Sequence, residues 1–224
     1  MSVSTRILFF TRTSEAEARK KRIVEDVQKN RLAVQALIWA GRRQITASGI
    51  PALELNQYDQ VGNSFGEKLT NGIESLFNEG VQHVIVIGND SPELTSKDLL
   101  HAQSVLDRGC QAMGKTSAGG TWILGLRKEL FDRKSFAALP WQSSALGQAM
   151  EFLLNSQGDL YLFRELGEIS TVHSLSIFLS SAYSSPLKKL LLQILRQDPV
   201  VLPASEVQDC RELIFRRSQR APPL

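Results

Sequence analysis

Cysteine is scarce in this chain: Cys110 and Cys210 are the two among 224 residues, with no CxxC pair and no Cys/His cluster. That excludes a disulfide scaffold and a thiolate zinc site. An excess of one charge sign is also missing. The formal charge is +3, and no aromatic interleaves the densest basic run, Arg19-Lys20-Lys21-Arg22. Arg42-Arg43 reads as a solvated helix face. A nucleic-acid binder would concentrate basic and aromatic groups on one surface, so no nucleic-acid partner is expected. Long apolar runs are absent as well. The longest are strand-length, far short of the ~20 residues a spanning helix needs. Met1 to Phe10 carries a single arginine and no small-residue cleavage signal. The expectation is a cytoplasmic protein with free thiols and no membrane span.

What is present is an ordinary globular composition, 42% hydrophobic and 22% charged. Residues 1–180 are expected to form the main domain, and residues 181–224 a C-terminal helical extension packed on it. Ile7 to Phe10 reads as a buried strand. Ser14 is expected to cap a helix whose first turn holds Glu15 and Glu17. A second helix is expected over residues 30–47, ended by Gly49 and Pro51, and a strand over 52–55. Phe65, Leu69, Ile73, Leu76 and Phe77 form one helical stripe closed by Gly80. Val84-Ile85-Val86-Ile87 is an unbroken β-branched run, suited to a central parallel strand covered on both faces. Thr95 with Asp98 has the spacing of a capping box. Short strands at 112–113 and 121–124 flank a Gly-rich turn. A helix over 143–154, a strand over 160–163 and helices over 172–179 and 186–196 follow, with Ser218 to Leu224 frayed.

This alternation predicts an α/β fold, a three-layer sandwich around a mostly parallel central sheet. Ligands in such sheets sit beyond the carboxyl ends of the strands. The turn Gly88 to Pro92 lies at such an end, which makes Asp90 the first candidate for function. One letter match is rejected. Gly109 to Thr116 fits the phosphate-loop pattern GxxxxGK[ST]. That chemistry needs a strand before the loop and a helix N-terminus after it, whereas here a helix precedes Gly109 and a strand follows the turn.

Three segments together resemble a known family. Gln60-Val-Gly62-Asn-Ser-Phe-Gly-Glu-Lys-Leu69 is similar to its QxGxxLGER segment. Val86-Ile-Gly88-Asn89-Asp90-Ser-Pro-Glu-Leu94 is similar to its strand plus IGsDsPdL. Gly114-Lys-Thr-Ser-Ala118-Gly119-Gly120-Thr-Trp-Ile-Leu-Gly-Leu126 is similar to its GPaxDGGyyLiGl. Leu139 to Ser143 resembles the tryptophan segment that follows. The family is that of the radical-SAM/selenodomain-associated transferases, bacterial proteins of the glycosyltransferase-A-like, nucleotide-diphospho-sugar transferase fold. Its N-terminal pattern FaKaPvpGrVKTRL lies without a gap on Phe10 to Ile23. Arg12, Lys20 and Arg22 take basic places there, and the glycine and both prolines are missing.

The resemblance implies binding of a nucleotide or nucleotide-sugar, with glycosyl transfer assisted by a divalent metal, magnesium or manganese. Two alternatives stand beside it: a catalytically degenerate binding or scaffold relative, and a small-molecule nucleotidyltransferase. Arg12, Lys20 and Arg22 would touch phosphate. Gln60, Gly62, Asn89, Gly119 and Gly120 would line the nucleotide site. Asp90 and Glu168 would hold the metal. The pattern's other acids fall on Ala118 and Ser170, which weakens a metal site because alanine cannot ligate and serine does so poorly. Glu93 or Asp59 could move in instead. Lys115 is read as a lysine that could pair with Asp90 and take over part of a cation's electrostatic work. Trp141 could stack on a ring ligand but reads rather as a core aromatic beside Pro140, and no general base is assigned, His173 included.

Overall fold

A computed structural model describes residues 4–196 of the chain. Its strands are β1 (Thr5–Phe10), β2 (Ala52–Leu55), β3 (His83–Ile87), β4 (Gln111–Lys115), β5 (Thr121–Arg127) and β6 (Leu160–Leu162). Its α-helices are α1 (Ser14–Lys20), α2 (Val27–Ser48), α3 (Phe65–Asn78), α4 (Ser96–Asp107), α5 (Arg133–Ala137), α6 (Leu146–Gln157), α7 (Val172–Ser180) and α8 (Pro186–Arg196). The sheet order is β2-β1-β3-β5-β4-β6. All neighbours run parallel except at β5, which is antiparallel to both β3 and β4.

Two-residue periodicity explains the layers. Ile7, Phe9, Ile85 and Ile87 enter one apolar core, with side chains from α2, α4, α7 and α8. Leu8, Val84 and Val86 enter the other, with α3 and α6. Each face of β3 is therefore covered, and all five of its residues are buried. The three-layer α/β reading of the sequence holds. α8 lies on α2 and buries Leu187, Leu191 and Ile194. Among the described residues no helix is long and apolar enough to cross a membrane.

Several boundaries differ from the sequence reading for local reasons. Thr13, not Ser14, caps α1: its side chain accepts from the Ala16 backbone N–H, and Ser14 is already helical. α2 starts at Val27 because Asp26 accepts from the Lys29 N–H. α6 starts at Leu146 with no side-chain cap, and the segment before it is held by turns. The short α5, capped by Asp132, has no counterpart in the sequence reading. Gly109 follows α4 in the left-handed region at φ 96°, and Gln111 to Thr116 of the GxxxxGKT letters belong to β4 and its following turn. The tail Ser218 to Leu224 and Cys210 lie outside the described residues.

Candidate functional site

The reversal of β5 brings three chain ends to one edge of the sheet. The carboxyl ends of β1 and β3 lie beside the start of β5. Between them is a cleft of about 380 Å³. Phe10, Phe65, Leu146 and Trp141 form an apolar wall. Phe10 meets Phe65 edge-on at 5.4 Å, and Phe65 lies 5.5 Å from Trp141. Trp141 donates its indole N–H to the Phe136 carbonyl at 2.9 Å, so it is anchored in the core while one side faces the cleft. Beside it Gln142 stands in the left-handed region, φ 63°, the single such non-glycine among the described residues. A non-glycine there costs about 1–3 kcal/mol and clusters at functional places.

The opposite wall is charged, and its geometry is set by a buried asparagine. Asn30, 5% exposed, sits at the start of α2. Its Oδ1 accepts from the N–H groups of Ile23 and Val24, at 2.9 and 3.1 Å. Its Nδ2 donates to the carbonyls of Ala18 and Lys21, at 3.0 and 2.9 Å. The side chain is fully satisfied, as burial demands, and it fixes the stretch that leaves α1. Lys21 is the extended cap residue there, and its side chain turns into the cleft.

Lys21 pairs with Asp90, and at 2.9 Å with Glu17. Glu17 in turn meets Arg12 at 3.1 Å. Charges thus alternate along Arg12, Glu17, Lys21 and Asp90. The last turn of the chain's strand-end segment is pinned too, because the Ile169 N–H donates to the Asp90 carbonyl at 2.8 Å. Asp90 lines the cleft half-buried, with 40% of its side-chain surface open.

Burial drives the carboxyl of Asp90 above its ordinary value. Lys21 pulls against this without overcoming it, while Glu17 and Glu168 add to it. Burial also works against the charge of Lys21, but Asp90 and Glu17 outweigh it and hold the ammonium above its usual range. For Glu17 burial is likewise outweighed, by Lys21 and Arg12, and its carboxyl is held low.

Of the residues singled out in the sequence, Arg12, Lys20, Gln60, Asn89, Asp90, Gly120 and Glu168 line this cleft. Gln60 also ties the ends of β1 and β2, donating to the Thr11 and Leu55 carbonyls at 2.8 and 3.1 Å. Asn89, 8% exposed, accepts from the Thr11 hydroxyl at 3.3 Å. No acceptor among the described residues reaches its Nδ2.

Arg22, Gly62 and Gly119 do not line the cleft. Arg22 points outward and pairs with Glu25. Gly62 serves the turn before α3, where a Cβ would come 2.9 Å from Glu67. Gly119 has φ 87°, and its carbonyl accepts from the Gly147 N–H at 2.7 Å, which locks the β4–β5 turn onto α6. Lys115 is a correction: it pairs with Glu151 at 2.8 Å, not with Asp90. Strand alternation turns it toward α6. Glu93 and Asp59 do not line the cleft either. The acid that moves in is Glu17.

A divalent metal does not fit this donor set. Asp90 is taken up by an ammonium, Ala118 is exposed in its turn, and no group of three or more acid, histidine or cysteine side chains converges among the described residues. Lys21 and Glu17 escaped the sequence reading because no local pattern marks them. Their orientation depends on Asn30, several residues further along the chain.

The sheet order, the reversed fifth strand and the strand-end cleft define a glycosyltransferase-A-like fold of the nucleotide-diphospho-sugar transferase type. A protein from Desulfovibrio desulfuricans G20, described as a candidate nucleotide-diphospho-sugar transferase, superposes with a TM-score of 0.72. The two share 18% identity, over 86% of this chain and 95% of that one. The chain belongs to the family described as an uncharacterized protein conserved in bacteria, DUF2064, which matches residues 23–143. A 4-diphosphocytidyl-2C-methyl-D-erythritol synthase aligns over 88% of this chain and 100% of its own, at 12% identity and a TM-score of 0.38, too loosely to inform the site. No curated protein matches the chain.

Proposed function

We propose that the cleft binds a nucleotide or nucleotide-sugar and that the chain is a glycosyltransferase-type protein. The observation that carries this is the convergence of Arg12, Lys20 and Lys21 on the carboxyl end of β3, beside an aromatic wall. Cationic N–H donors suit diphosphate oxygens. The Phe10, Phe65 and Trp141 surface suits the flat face of a base. Asn89, with a donor left over, would meet a ribose or phosphate oxygen. The motifs spanning Gln60 to Leu126 further suggest the radical-SAM/selenodomain-associated branch of the family. Residues 1–180 would carry the whole site, with α8 buttressing α2 from behind.

Calorimetric titration with a panel of nucleoside diphosphates and nucleotide-sugars tests the reading. Arg12→Ala should weaken binding about tenfold or more, the worth of a charge-assisted hydrogen bond. Arg22→Ala should leave it unchanged. Binding of no panel member would sink the proposal. A second reading, a binding protein without transfer activity, is favoured by the engagement of Asp90 with Lys21 and by the neutral Ala118 and Ser170. It predicts binding with no turnover of any nucleotide-sugar and no pyrophosphate release from nucleoside triphosphates.

A further inference from the structure

We infer that Lys21 is the built-in cation of this cleft, and that it holds the diphosphate of the ligand without a divalent metal. The inference rests on the nucleotide-binding reading above and goes beyond it by assigning the charge that neutralises the ligand.

Three observations carry it. First, the ammonium already occupies the carboxylate that a metal would need, since Lys21 pairs with Asp90 at the end of β3. Second, its position is enforced. Asn30 fixes the backbone on both sides of it, and Glu17, itself buried, grips the ammonium at 2.9 Å. Third, three cationic side chains share the cleft with three carboxylates, and the protein's own cations already engage two of these. Arg12, Lys20 and Lys21 line it together with Glu17, Asp90 and Glu168. Of the three carboxylates, Glu17 and Asp90 are already paired with Lys21.

An ammonium has three N–H donors. Glu17 and Asp90 take two, which leaves one for a phosphate oxygen. Lys20 makes no ion pair among the described residues and adds a second positive charge at the rim. In the N-terminal pattern laid on Phe10 to Ile23, Glu17 falls on the glycine and Lys21 on the threonine. The pair that locks Asp90 thus accompanies the neutral Ala118 and Ser170. A salt bridge serving only to hold the loop would leave ligand affinity untouched, and the two roles separate experimentally.

The 224-residue chain is titrated with UDP, CDP, GDP and ADP, once in EDTA and once in excess manganese. Manganese alone is followed by electron paramagnetic resonance. The dissociation constant of any diphosphate that binds should be the same in both buffers, and the spectrum of free manganese should persist in the presence of the chain. Lys21→Gln should raise the dissociation constant in EDTA about tenfold or more, while Lys21→Arg keeps it within a few-fold. A diphosphate that binds only with manganese, or about tenfold more tightly with it, overturns the inference and leaves the nucleotide-binding reading standing. Equal affinity of Lys21→Gln and the unmodified chain in EDTA also overturns it. Failure of every diphosphate in both buffers defeats the nucleotide-binding reading, and the inference with it. If Lys21→Gln does not fold by circular dichroism, the comparison of buffers on the unmodified chain decides.

Discussion

At Gly114 the backbone of β4 passes under the indole of Trp122, and an added methyl would stand 2.3 Å from Trp122 Cε2. The ring cannot swing aside. Its N–H donates to the Arg164 carbonyl at 3.0 Å, and the Arg164 guanidinium lies over it at 5.7 Å. Gly114→Ala should therefore destabilise the fold by about 1–3 kcal/mol, as overpacking does. Thermal unfolding should fall by about 2–4 °C for each of those kcal/mol, and a melting curve unchanged by the substitution would refute this contact. Single residues were also where the sequence was hardest to read. A lysine balancing Asp90 could be anticipated from charge alone, but Lys115 was the nearer choice in the motif. The choice falls on Lys21 through the four hydrogen bonds of Asn30, a tertiary arrangement that no spacing rule encodes. Asp90, by contrast, was legible because a β-branched run ending in Gly-Asn-Asp-Ser-Pro marks a strand end.

At the scale of elements, the amino end of α4 shows how a cap is tied to the rest of the molecule. Thr95 and Asp98 form a reciprocal capping box, and Asp98 also pairs with Arg164. Burial works against the charge of Asp98, but the bonds from Arg164 and Thr95 outweigh it and hold the carboxyl below its ordinary 3.8. The unfolded chain thus keeps a proton at pH values where the folded chain has released it. The stabilisation is complete above about pH 4 and is lost as pH falls through the folded value. Asp98→Asn should flatten this acid limb in denaturation measured across pH, and an acid limb as steep as that of the unmodified chain would contradict it. The box itself could be read from the letters Thr-Ser-Lys-Asp, and so could β3 and the stripe of α3. The antiparallel setting of β5 could not. Pairing β3 with β5 across the intervening α4 and β4 is a long-range choice, and a buried apolar strand has the same composition in either direction.

At the scale of the whole molecule, the sheet divides the interior into two cores, and α8 closes one of them. Leu191 on α8 is fully buried in the core that also holds Ile7, Phe9, Val34 and Ile85. Leu191→Ala should cost about 2–5 kcal/mol. Urea titration should show a lower midpoint with an unchanged slope, since the surface exposed on unfolding stays the same. A change below about 1 kcal/mol would mean that the core does not depend on this helix. The layered architecture was readable from the alternation of strand and helix patterns, because each face of a two-sided sheet must find an apolar cover.

The backward run of β5 has one more effect. Its connection with β4, residues 116–120, ends at the cleft, where Gly120 lines the wall, while Gly119 holds the bend onto α6. A side chain at Gly119 would collide with the Ser144 carbonyl, whereas Ser117 and Ala118, exposed at the tip, can be exchanged without touching that lock. The contour of the cleft at Gly120 is thereby tied to the seating of α6, and the one cannot shift without the other.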